Sequence, residues 1–448
     1  MESFVGVLLA GGMGKRMHSE LPKTIHHVAG SPMIDHAIGT LASAGATRTI
    51  VVVGYKGELI EDHLAGRAQI VWQHEQLGTG HAAMQAIPAL ETYEGVVLVV
   101  PGDVALLRTS TVQSLVEQHV SSGCSATLLT MILEDPAAYG RVIRDSNEKV
   151  TSIIEYRDAS EEIRAVREVN TGVYCFDCQE LIKALPKITD QNDQREYYLT
   201  DVIGVFVAEG KPVGAMALND PLEGLGINSR VELAQAEQVL RCRKRIELME
   251  QGVTIVDPSS THIDMGVQVG HDTVIQPFTV LSGQTSIGKS CNIGPYVCIN
   301  DGVCGDFCNI GPFSYIRPGT ILADKVKVGD FVEVKNSNVG HGTKIPHLSY
   351  VGDANLGSGV NIGAGTITCN YDGVVKNRTT VEDGAFVGAN SNLVAPVRVG
   401  REAYIATGST VTSDVPAGAL GIARARQENK DGWVARRRAA QASKEDNK

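Results

Sequence analysis

A glycine-rich turn followed by two cations is the first part of the sequence that could do chemistry. The apolar segment 4–10 runs into Gly-Gly-Met-Gly-Lys-Arg-Met at 11–17, and Leu-Pro-Lys follows at 21–23. Backbone amides of such a turn bind phosphate oxygens, and Arg16 and Lys23 would neutralise the charge that develops during phosphoryl transfer. These residue types therefore predict a site for a nucleotide or a sugar phosphate at the end of a strand.

The turn differs from two common phosphate loops. Leu9 stands where a Walker loop has its first glycine, and neither serine nor threonine follows Lys15. Met17 stands at the third glycine position of the dinucleotide-binding fingerprint. We therefore interpret the turn as a phosphate-binding site of another class. The alternative is a simple turn that binds no ligand.

His347 is the second candidate, in the segment Pro-His-Leu-Ser-Tyr at 346–350. A histidine with a pKa of about 6.5 accepts a proton near neutral pH, so it could activate an amine for attack on a thioester. Arg317 and Lys335 would hold an anionic acceptor beside it. Two alternatives stay open, a structural histidine and a zinc site shared with His341.

The residues that could do chemistry lie in two halves of the chain, and the spacing of apolar residues differs between the halves. From residue 4 to about 225, aliphatic runs alternate with amphipathic stretches, which predicts a Rossmann-like α/β sheet of parallel strands covered by helices. Ligands of such sheets bind beyond the carboxyl ends of the strands, where both the glycine turn and Asp103 are expected. Residues 228–251 lack proline and glycine, and they predict a helix that stops at Gly252.

After residue 252 an aliphatic residue recurs every six positions for about 145 residues. Each hexapeptide would form a short strand and a turn, and three of them would close a triangular coil. The pattern resembles the left-handed parallel β-helix of hexapeptide-repeat proteins, which are mostly acyltransferases and commonly trimers. The segment 369–380 breaks the period, so we expect a projecting loop there. The alternative for the repeats is a structural spacer.

The glycine turn together with Leu-Pro-Lys resembles the signature of sugar-1-phosphate nucleotidylyltransferases. Lys15 departs from that signature, where threonine is usual, and Pro101 stands where some relatives carry tyrosine. The resemblance implies catalytic roles for Arg16 and Lys23, and a Mg²⁺ ion bound by Asp103 and Asn228. The alternative interpretation of Asp103, from the residues alone, is a turn residue. The implied substrate contacts are Leu9, Ala10, Gly11, Gly12, Lys23, Gln73, Gly78, Thr79, Gly102, Asp103, Gly140, Glu155, Asn170 and Asn228.

Both motif sets in one chain resemble the family of bifunctional UDP-N-acetylglucosamine pyrophosphorylases/glucosamine-1-phosphate N-acetyltransferases. The resemblance implies acetyl transfer from acetyl-CoA to glucosamine-1-phosphate, and then coupling of N-acetylglucosamine-1-phosphate to UTP. His347 would be the general base of the first reaction. Implied sugar phosphate contacts are Arg317, Lys335, Tyr350, Asn361 and Lys376; implied acetyl-CoA contacts are Ala364, Asn370, Tyr371, Ala389, Thr407 and Arg424. Ala389 replaces a frequent serine.

The predicted organisation is a nucleotidylyltransferase domain at 1–227, a helical arm at 228–252, and an acetyltransferase β-helix with a charged tail at 253–448. A net charge of −11 argues against a nucleic-acid surface. The early apolar run at 4–10 is too short to cross a bilayer, and nine scattered cysteines are typical of reduced thiols. We expect a cytoplasmic homotrimer without membrane or nucleic-acid partners.

Two alternative functions stay open. A nucleotidylyltransferase with one activity would use its repeats only for regulation or assembly, and a non-catalytic regulatory subunit would carry a degenerate transferase domain. The histidine segment and Asn-Tyr-Asp-Gly at 370–373 argue against the first alternative. The presence of Arg16, Lys23, Asp103 and Asn228 argues against the second.

Overall fold

The computed structural model of the chain describes residues 3–445, in two compact units. The first unit runs to Ile246 and includes Asp264–Gly266, and the second contains Glu247–Ile263 and runs on from Val267. Residues 1–2 and 446–448, at the ends of the predicted domains, lie outside the described residues. The predicted domain limits at 227 and 252 stay a prediction.

The first unit contains a mixed sheet with helices on both sides. Its strands are β1 (Phe4–Ala10), β2 (His27–Val28), β3 (Ser31–Pro32), β4 (Ala46–Val53), β5 (Gln69–Trp72), β6 (Val96–Pro101), β7 (Ala126–Ile132), β8 (Arg141–Arg144), β9 (Val150–Ile154), β10 (Glu168–Asp177) and β11 (Val213–Ala217). Its helices are α1 (Met33–Ala44), α2 (Gly57–Leu64), α3 (Thr79–Gln85), α4 (Ile87–Leu90), α5 (Thr109–Ser122), α6 (Glu161–Arg164), α7 (Cys178–Ala184) and α8 (Asp201–Ala208). The helix α9 (Arg230–Glu250) follows.

The main sheet has the strand order β11-β7-β10-β6-β1-β4-β5. Strands β1, β4, β5 and β6 are parallel, as the aliphatic runs predict. Strand β10 runs antiparallel to both β6 and β7, so the sheet is mixed rather than purely parallel. The sequence pattern did not indicate the direction of this strand, because direction depends on connections that periodicity does not report.

The parallel strands β1 and β6 bring the candidate residues of the first unit together. Every residue of β1 except Leu9 is buried, which fixes the strand in the centre of the core. Because β1 and β6 are parallel neighbours, their carboxyl ends lie at the same edge of the sheet. The glycine turn follows β1 there, and Gly102 and Asp103 follow β6.

The second unit is a three-faced prism of stacked parallel strands, the arrangement typical of a left-handed β-helix. Face 1 holds β12 (Thr254–Ile255), β15 (Val274–Ile275), β18 (Asn292–Ile293), β21 (Asn309–Ile310), β24 (Lys327–Asp330), β27 (Lys344–His347), β30 (Asn361–Ile362), β33 (Phe386–Val387), β36 (Tyr404–Ile405) and β38 (Leu420–Gly421). Face 2 holds β13 (His262–Ile263), β16 (Val280–Ser282), β19 (Cys298–Asn300), β22 (Tyr315–Ile316), β25 (Glu333–Lys335), β28 (Tyr350–Gly352), β31 (Ile367–Cys369), β34 (Asn392–Val394) and β37 (Thr410–Val411). Face 3 holds β14 (Gln268–Val269), β17 (Ser286–Ile287), β20 (Val303–Cys304), β23 (Ile321–Leu322), β26 (Asn338–Val339), β29 (Ala354–Leu356), β32 (Thr379–Val381) and β35 (Val397–Val399).

The recurring aliphatic residues form the interior of the prism, as the six-residue period predicts. On face 1, Ile275, Ile293 and Ile310 are stacked register partners, and each is fully buried. A fully buried aliphatic side chain stabilises a fold by roughly 1.5–3 kcal/mol. The stack therefore supplies a continuous core that holds each outward residue at a defined height along the prism.

The predicted projecting loop is present where the period breaks. Val339 pairs with Leu356, 17 residues later, whereas Leu356 pairs with Val381, 25 residues later. The extra residues leave the prism as a loop whose tip, with Val374 and Val375, is exposed.

The charged tail forms an exposed helix, α10 (Trp433–Glu445), in which Arg437 lies over the Trp433 ring. The helices within residues 3–445 include none with the length and apolar character needed to cross a membrane.

Candidate active sites

A cavity of about 630 Å³ opens where the carboxyl ends of β1 and β6 meet. Most of the predicted contacts of the first site line it: Leu9, Ala10, Gly11, Gly12, Lys23, Gln73, Gly78, Thr79, Asp103, Gly140, Glu155 and Asn170. Gly102, Asn228 and Arg16 lie outside the lining, and Arg16 is exposed to solvent. Glu196 and Thr200 also line the cavity; sequence reasoning missed both, because neither belongs to a recognised motif.

Close approach explains two of the three glycines of the turn, Gly11 and Gly14. A Cβ atom on Gly11 would lie 2.7 Å from Gln73 Oε1, inside van der Waals contact. Gly14 has a φ of 63°, and a Cβ there would lie 2.8 Å from the Cβ of Lys23. Glycine therefore allows Lys23 to lie directly against the turn at the mouth of the phosphate loop.

Lys23 is the centre of a polar cluster at the edge of the cavity. Its ammonium donates hydrogen bonds to Asp103 Oδ2 and, at 2.9 Å, to Asn228 Oδ1. Both Lys23 and Asp103 are largely buried, at 16% and 13% side-chain exposure. Two oxygens from distant parts of the chain thus converge on one cation, which matches the predicted grouping of these three residues.

Glu155 and Asn170 provide polar groups elsewhere in the cavity wall. Burial raises the pKa of the Glu155 carboxyl, and Thr200 donates a hydrogen bond of 3.4 Å to it. Asn170 donates to the Tyr174 hydroxyl at 2.6 Å, and its side-chain oxygen accepts from the Gly172 amide at 3.1 Å. Fixed, partly desolvated polar groups of this kind are suited to binding sugar hydroxyls.

In the second unit, His347 is paired with a carboxylate from the preceding coil. Asp330 and His347 are register partners on β24 and β27, and His347 Nδ1 lies 2.5 Å from Asp330 Oδ1. The hydrogen bond to His347 lowers the pKa of Asp330, so the carboxylate stays ionised. Nδ1 therefore donates its proton to Asp330, and Nε2 is free to accept one. Sequence reasoning missed Asp330.

Four of the predicted acetyl-CoA contacts follow the edge of the prism that carries His347: Ala364, Ala389, Thr407 and Arg424. Backbone hydrogen bonds link successive coils at this edge, from Asn390 to Ala364 at 2.7 Å and from Gly408 to Ala389 at 2.8 Å. Arg424 Cδ lies 3.8 Å from the position of a Cβ on Gly408. On the other side of His347 the same edge carries stacked, exposed rings: Phe278, Tyr296, Phe313 and Phe331. On the C-terminal side of His347, by contrast, Ala364, Ala389 and Gly408 carry small or no side chains, so this part of the edge is open.

Three cations gather at a different edge, between faces 2 and 3. The nearby Lys376 ammonium lowers the pKa of Lys335, and Arg317 adds to the effect. Arg317 also donates to Glu333 at 2.7 Å. Like charges held this close are unfavourable without an anion between them, so the cluster is suited to a phosphate group.

The projecting loop is tied to this cation cluster by a buried aspartate. Asn370 and Asn336 each donate to an oxygen of Asp353 at 2.5 Å, and the Tyr350 hydroxyl lies 3.5 Å from Asn370. These bonds place the loop base next to Lys335. Sequence reasoning predicted Asn370 and Tyr350 as contacts but missed Asp353, whose two partners come from the preceding and the following coil.

The remaining predicted contacts are spread over the prism. Asn361 lies on face 1, paired with Lys344 of the strand that carries His347. Tyr371 lies on the exposed part of the loop, where its hydroxyl donates to Gly373 at 2.7 Å. Within one chain, His347 and the cation cluster therefore lie at opposite edges of face 2.

Comparison with known proteins assigns the family. A family model described as nucleotidyl transferase matches residues 5–222, and one described as hexapeptide repeat of succinyl-transferase matches residues 378–413. The chain is 49% identical to the bifunctional protein GlmU of Carboxydothermus hydrogenoformans, over 96% of this chain and 99% of that protein. The GlmU proteins of Heliobacterium modesticaldum and Geobacillus thermodenitrificans are 49% and 47% identical, each over 98% of this chain and 99% of the relative. The chain belongs to the GlmU family.

Membership of the GlmU family confirms three predictions from sequence. The family itself, the α/β unit followed by a hexapeptide β-helix, and the bifunctional transferase character all agree with the comparisons. The individual site residues, the metal and the trimer stay predictions for this GlmU family member.

Proposed function

We propose that the chain makes UDP-N-acetylglucosamine in two steps. The β-helix unit transfers an acetyl group from acetyl-CoA to the amine of glucosamine-1-phosphate. The first unit then couples N-acetylglucosamine-1-phosphate to UTP and releases pyrophosphate. One observation carries the proposal: a phosphate-loop cavity with Lys23 and a His347–Asp330 pair occur in separate compact units of a GlmU family chain.

In the uridylyl reaction the sugar phosphate attacks the α-phosphorus of UTP directly. A phosphate oxygen forms the new P–O bond, the bond to the β-phosphate breaks, and pyrophosphate leaves. Backbone amides at Gly11 and Gly12 bind the triphosphate, and Lys23 and Arg16 neutralise charge on the oxygens around the α-phosphorus. Because positioning and charge neutralisation supply the rate, the protein needs no nucleophile of its own.

The cluster around Lys23 fits a magnesium ion. Asp103 and Asn228 direct hard oxygen atoms at one point, and the Lys23 ammonium is the cation between them. Carboxylate and amide oxygens are the ligands that Mg²⁺ prefers, with phosphate oxygens completing its shell. When bound by Asp103 and Asn228, Mg²⁺ would neutralise phosphate charge. Lys23 would then donate to the phosphates.

In the acetyl reaction His347 Nε2 removes a proton from the sugar amine. The amine nitrogen forms a bond to the thioester carbonyl carbon and the carbon–sulfur bond breaks. The imidazolium gives its proton to the departing sulfur, so coenzyme A leaves as a thiol. Asp330 holds the imidazole in the tautomer that leaves Nε2 unprotonated, and it stabilises the imidazolium that forms. Arg317, Lys335 and Lys376 bind the phosphate of the sugar.

A homotrimer would complete this second site. His347 lies at one edge of face 2, and the cation cluster lies at the other, separated on the order of 10 Å by the length of a three-residue strand. A sugar phosphate bound to the cluster of one copy would reach the histidine of a neighbouring copy if prisms pack side by side. This arrangement is closed and symmetric, as most soluble oligomers are.

A cytoplasmic location is also part of the proposal. UTP and acetyl-CoA are intracellular metabolites, and none of the nine cysteines, all within residues 3–445, forms a disulfide. Reduced thiols are typical of proteins in a reducing compartment.

The test is incubation with glucosamine-1-phosphate, acetyl-CoA, UTP and Mg²⁺, followed by mass analysis for UDP-N-acetylglucosamine. Thiol release from acetyl-CoA and pyrophosphate release from UTP report the two steps separately. Absence of thiol release would favour a nucleotidylyltransferase with one activity. Absence of pyrophosphate release with N-acetylglucosamine-1-phosphate would favour a regulatory subunit.

A further inference from the structure

The amide group of Gln73 has only one orientation that its surroundings allow. Gln73 is buried in the cavity wall, and its Nε2 donates a hydrogen bond of 3.0 Å to the Gly78 carbonyl. A carbonyl oxygen only accepts hydrogen bonds, so the amide nitrogen must lie on that side. The amide oxygen consequently lies beside Gly11, toward the cavity.

His81 is the second group that faces this amide nitrogen. Its Nδ1 lies 3.2 Å from Gln73 Nε2, on the first turn of α3. An imidazole nitrogen accepts from an N–H donor only when it carries no proton itself. His81 therefore supports the orientation of Gln73 when the ring is neutral and Nε2 carries its proton.

The other ring nitrogen of His81 leads to the same assignment. Gln85 Nε2 lies 3.2 Å from His81 Nε2 and 3.1 Å from the His81 carbonyl oxygen. Two amide nitrogens thus face a neutral ring that can accept from only one of them. Gln73 cannot turn, because its oxygen would then face the Gly78 carbonyl. Gln85 is less buried and can turn its amide oxygen toward Nε2–H.

We infer that His81 is a positioning residue for base selection, which holds Gln73 with its oxygen toward the nucleotide base. This inference rests on the proposed use of UTP in this cavity. The imide N–H of uracil can donate to that oxygen, whereas cytosine presents an unprotonated nitrogen at the equivalent position. A buried acceptor left facing another acceptor is costly, so the fixed amide disfavours CTP.

Two matched polar variants test the inference in the full-length protein. In His81→Asn the side-chain oxygen lies near the original Nδ1 and can still accept from Gln73. In His81→Gln the longer side chain carries its polar atoms near the original Nε2 instead. We expect His81→Gln to lower the ratio of kcat/KM for UTP to that for CTP at least tenfold, mainly through a higher KM for UTP. His81→Asn should keep the ratio within about threefold of the parent.

The outcomes separate this inference from the proposed function. Equal losses with UTP and CTP in His81→Gln, at an unchanged ratio, would show a merely structural role and overturn the inference. A ratio lowered equally in both variants would also overturn it. If the unsubstituted protein shows no UTP-dependent pyrophosphate release, the proposed function fails instead. Acetyl transfer by each variant, together with the exposed-site control His27→Leu, reports folding.

Discussion

His347 Nδ1 lies 2.5 Å from Asp330 Oδ1, and the two residues are register partners on successive coils of the β-helix. This pairing occupies Nδ1 and leaves Nε2 as the ring nitrogen that can accept a proton. Because the partner is an ionised carboxylate, it also stabilises the imidazolium that proton transfer creates. Asp330 should therefore act through His347 without contacting the acetyl acceptor.

Replacing Asp330 should separate its two effects on acetyl transfer. Asp330→Ala removes both the tautomer control and the charge, and we expect kcat for thiol release to fall roughly 100-fold. Asp330→Asn keeps an oxygen that accepts from Nδ1–H, so its loss should be several-fold smaller. Equal kcat values for Asp330→Ala and the parent protein would contradict the role of this pair. UTP-dependent pyrophosphate release serves as the control for folding.

Lys23 should be essential to the uridylyl reaction. Lys23→Ala removes the cation that lies between Asp103 and Asn228, and we expect the rate of pyrophosphate release to fall on the order of 100-fold. The matched control is Lys183→Ala, an exposed lysine of the same unit that pairs with Glu180. A Lys23→Ala rate within a factor of two of the parent would show that this cation does not stabilise the transition state.

Removal of divalent cations should affect only one of the two reactions. With EDTA in excess, we expect UTP coupling to stop and acetyl transfer to continue, because the His347 mechanism uses proton transfer alone. Added Mg²⁺ should restore coupling. Coupling that persists in EDTA would contradict the assignment of Asp103 and Asn228 as metal ligands, and loss of acetyl transfer would contradict the metal-free second site.

Glu155 should make the stability of the first unit depend on pH. Its pKa is raised by burial, so the neutral carboxyl is favoured in the folded state. The stability it contributes is present below the ordinary value of 4.5 and is lost as pH rises through the raised pKa. Glu155→Gln stays neutral throughout, so its Tm relative to the parent should increase between pH 4.5 and pH 7. A constant Tm difference over that range would contradict a raised pKa.

Periodicity predicted the core of the β-helix better than it predicted either site. An inward residue every six positions, such as Ile293 or Ile310, is a local property that the chain reports directly. Asp330 was missed because it reaches His347 only through a 17-residue coil, a length that varies along the prism. Asp353 was missed for the same reason, because its partners Asn336 and Asn370 are set by the register of successive coils.

In the first site, too, composition and spacing could not predict which side chains come into contact. Motif resemblance implied that Lys23, Asp103 and Asn228 belong to one site, and the structure brings their side chains together although Asn228 lies 205 residues beyond Lys23. Resemblance carries information on tertiary contacts that composition and spacing lack. It did not reveal the antiparallel β10 strand or the hydrogen bonds that orient Gln73, since these depend on how each side chain packs in this particular sheet.

The most direct test of two separate activities is the His347→Ala variant, assayed for both reactions in one preparation. We expect thiol release from acetyl-CoA to fall at least 100-fold, since the general base is lost. Coupling of N-acetylglucosamine-1-phosphate to UTP should stay within a factor of two of the parent. Loss of both activities in a variant that remains folded by circular dichroism would contradict the assignment of two independent sites.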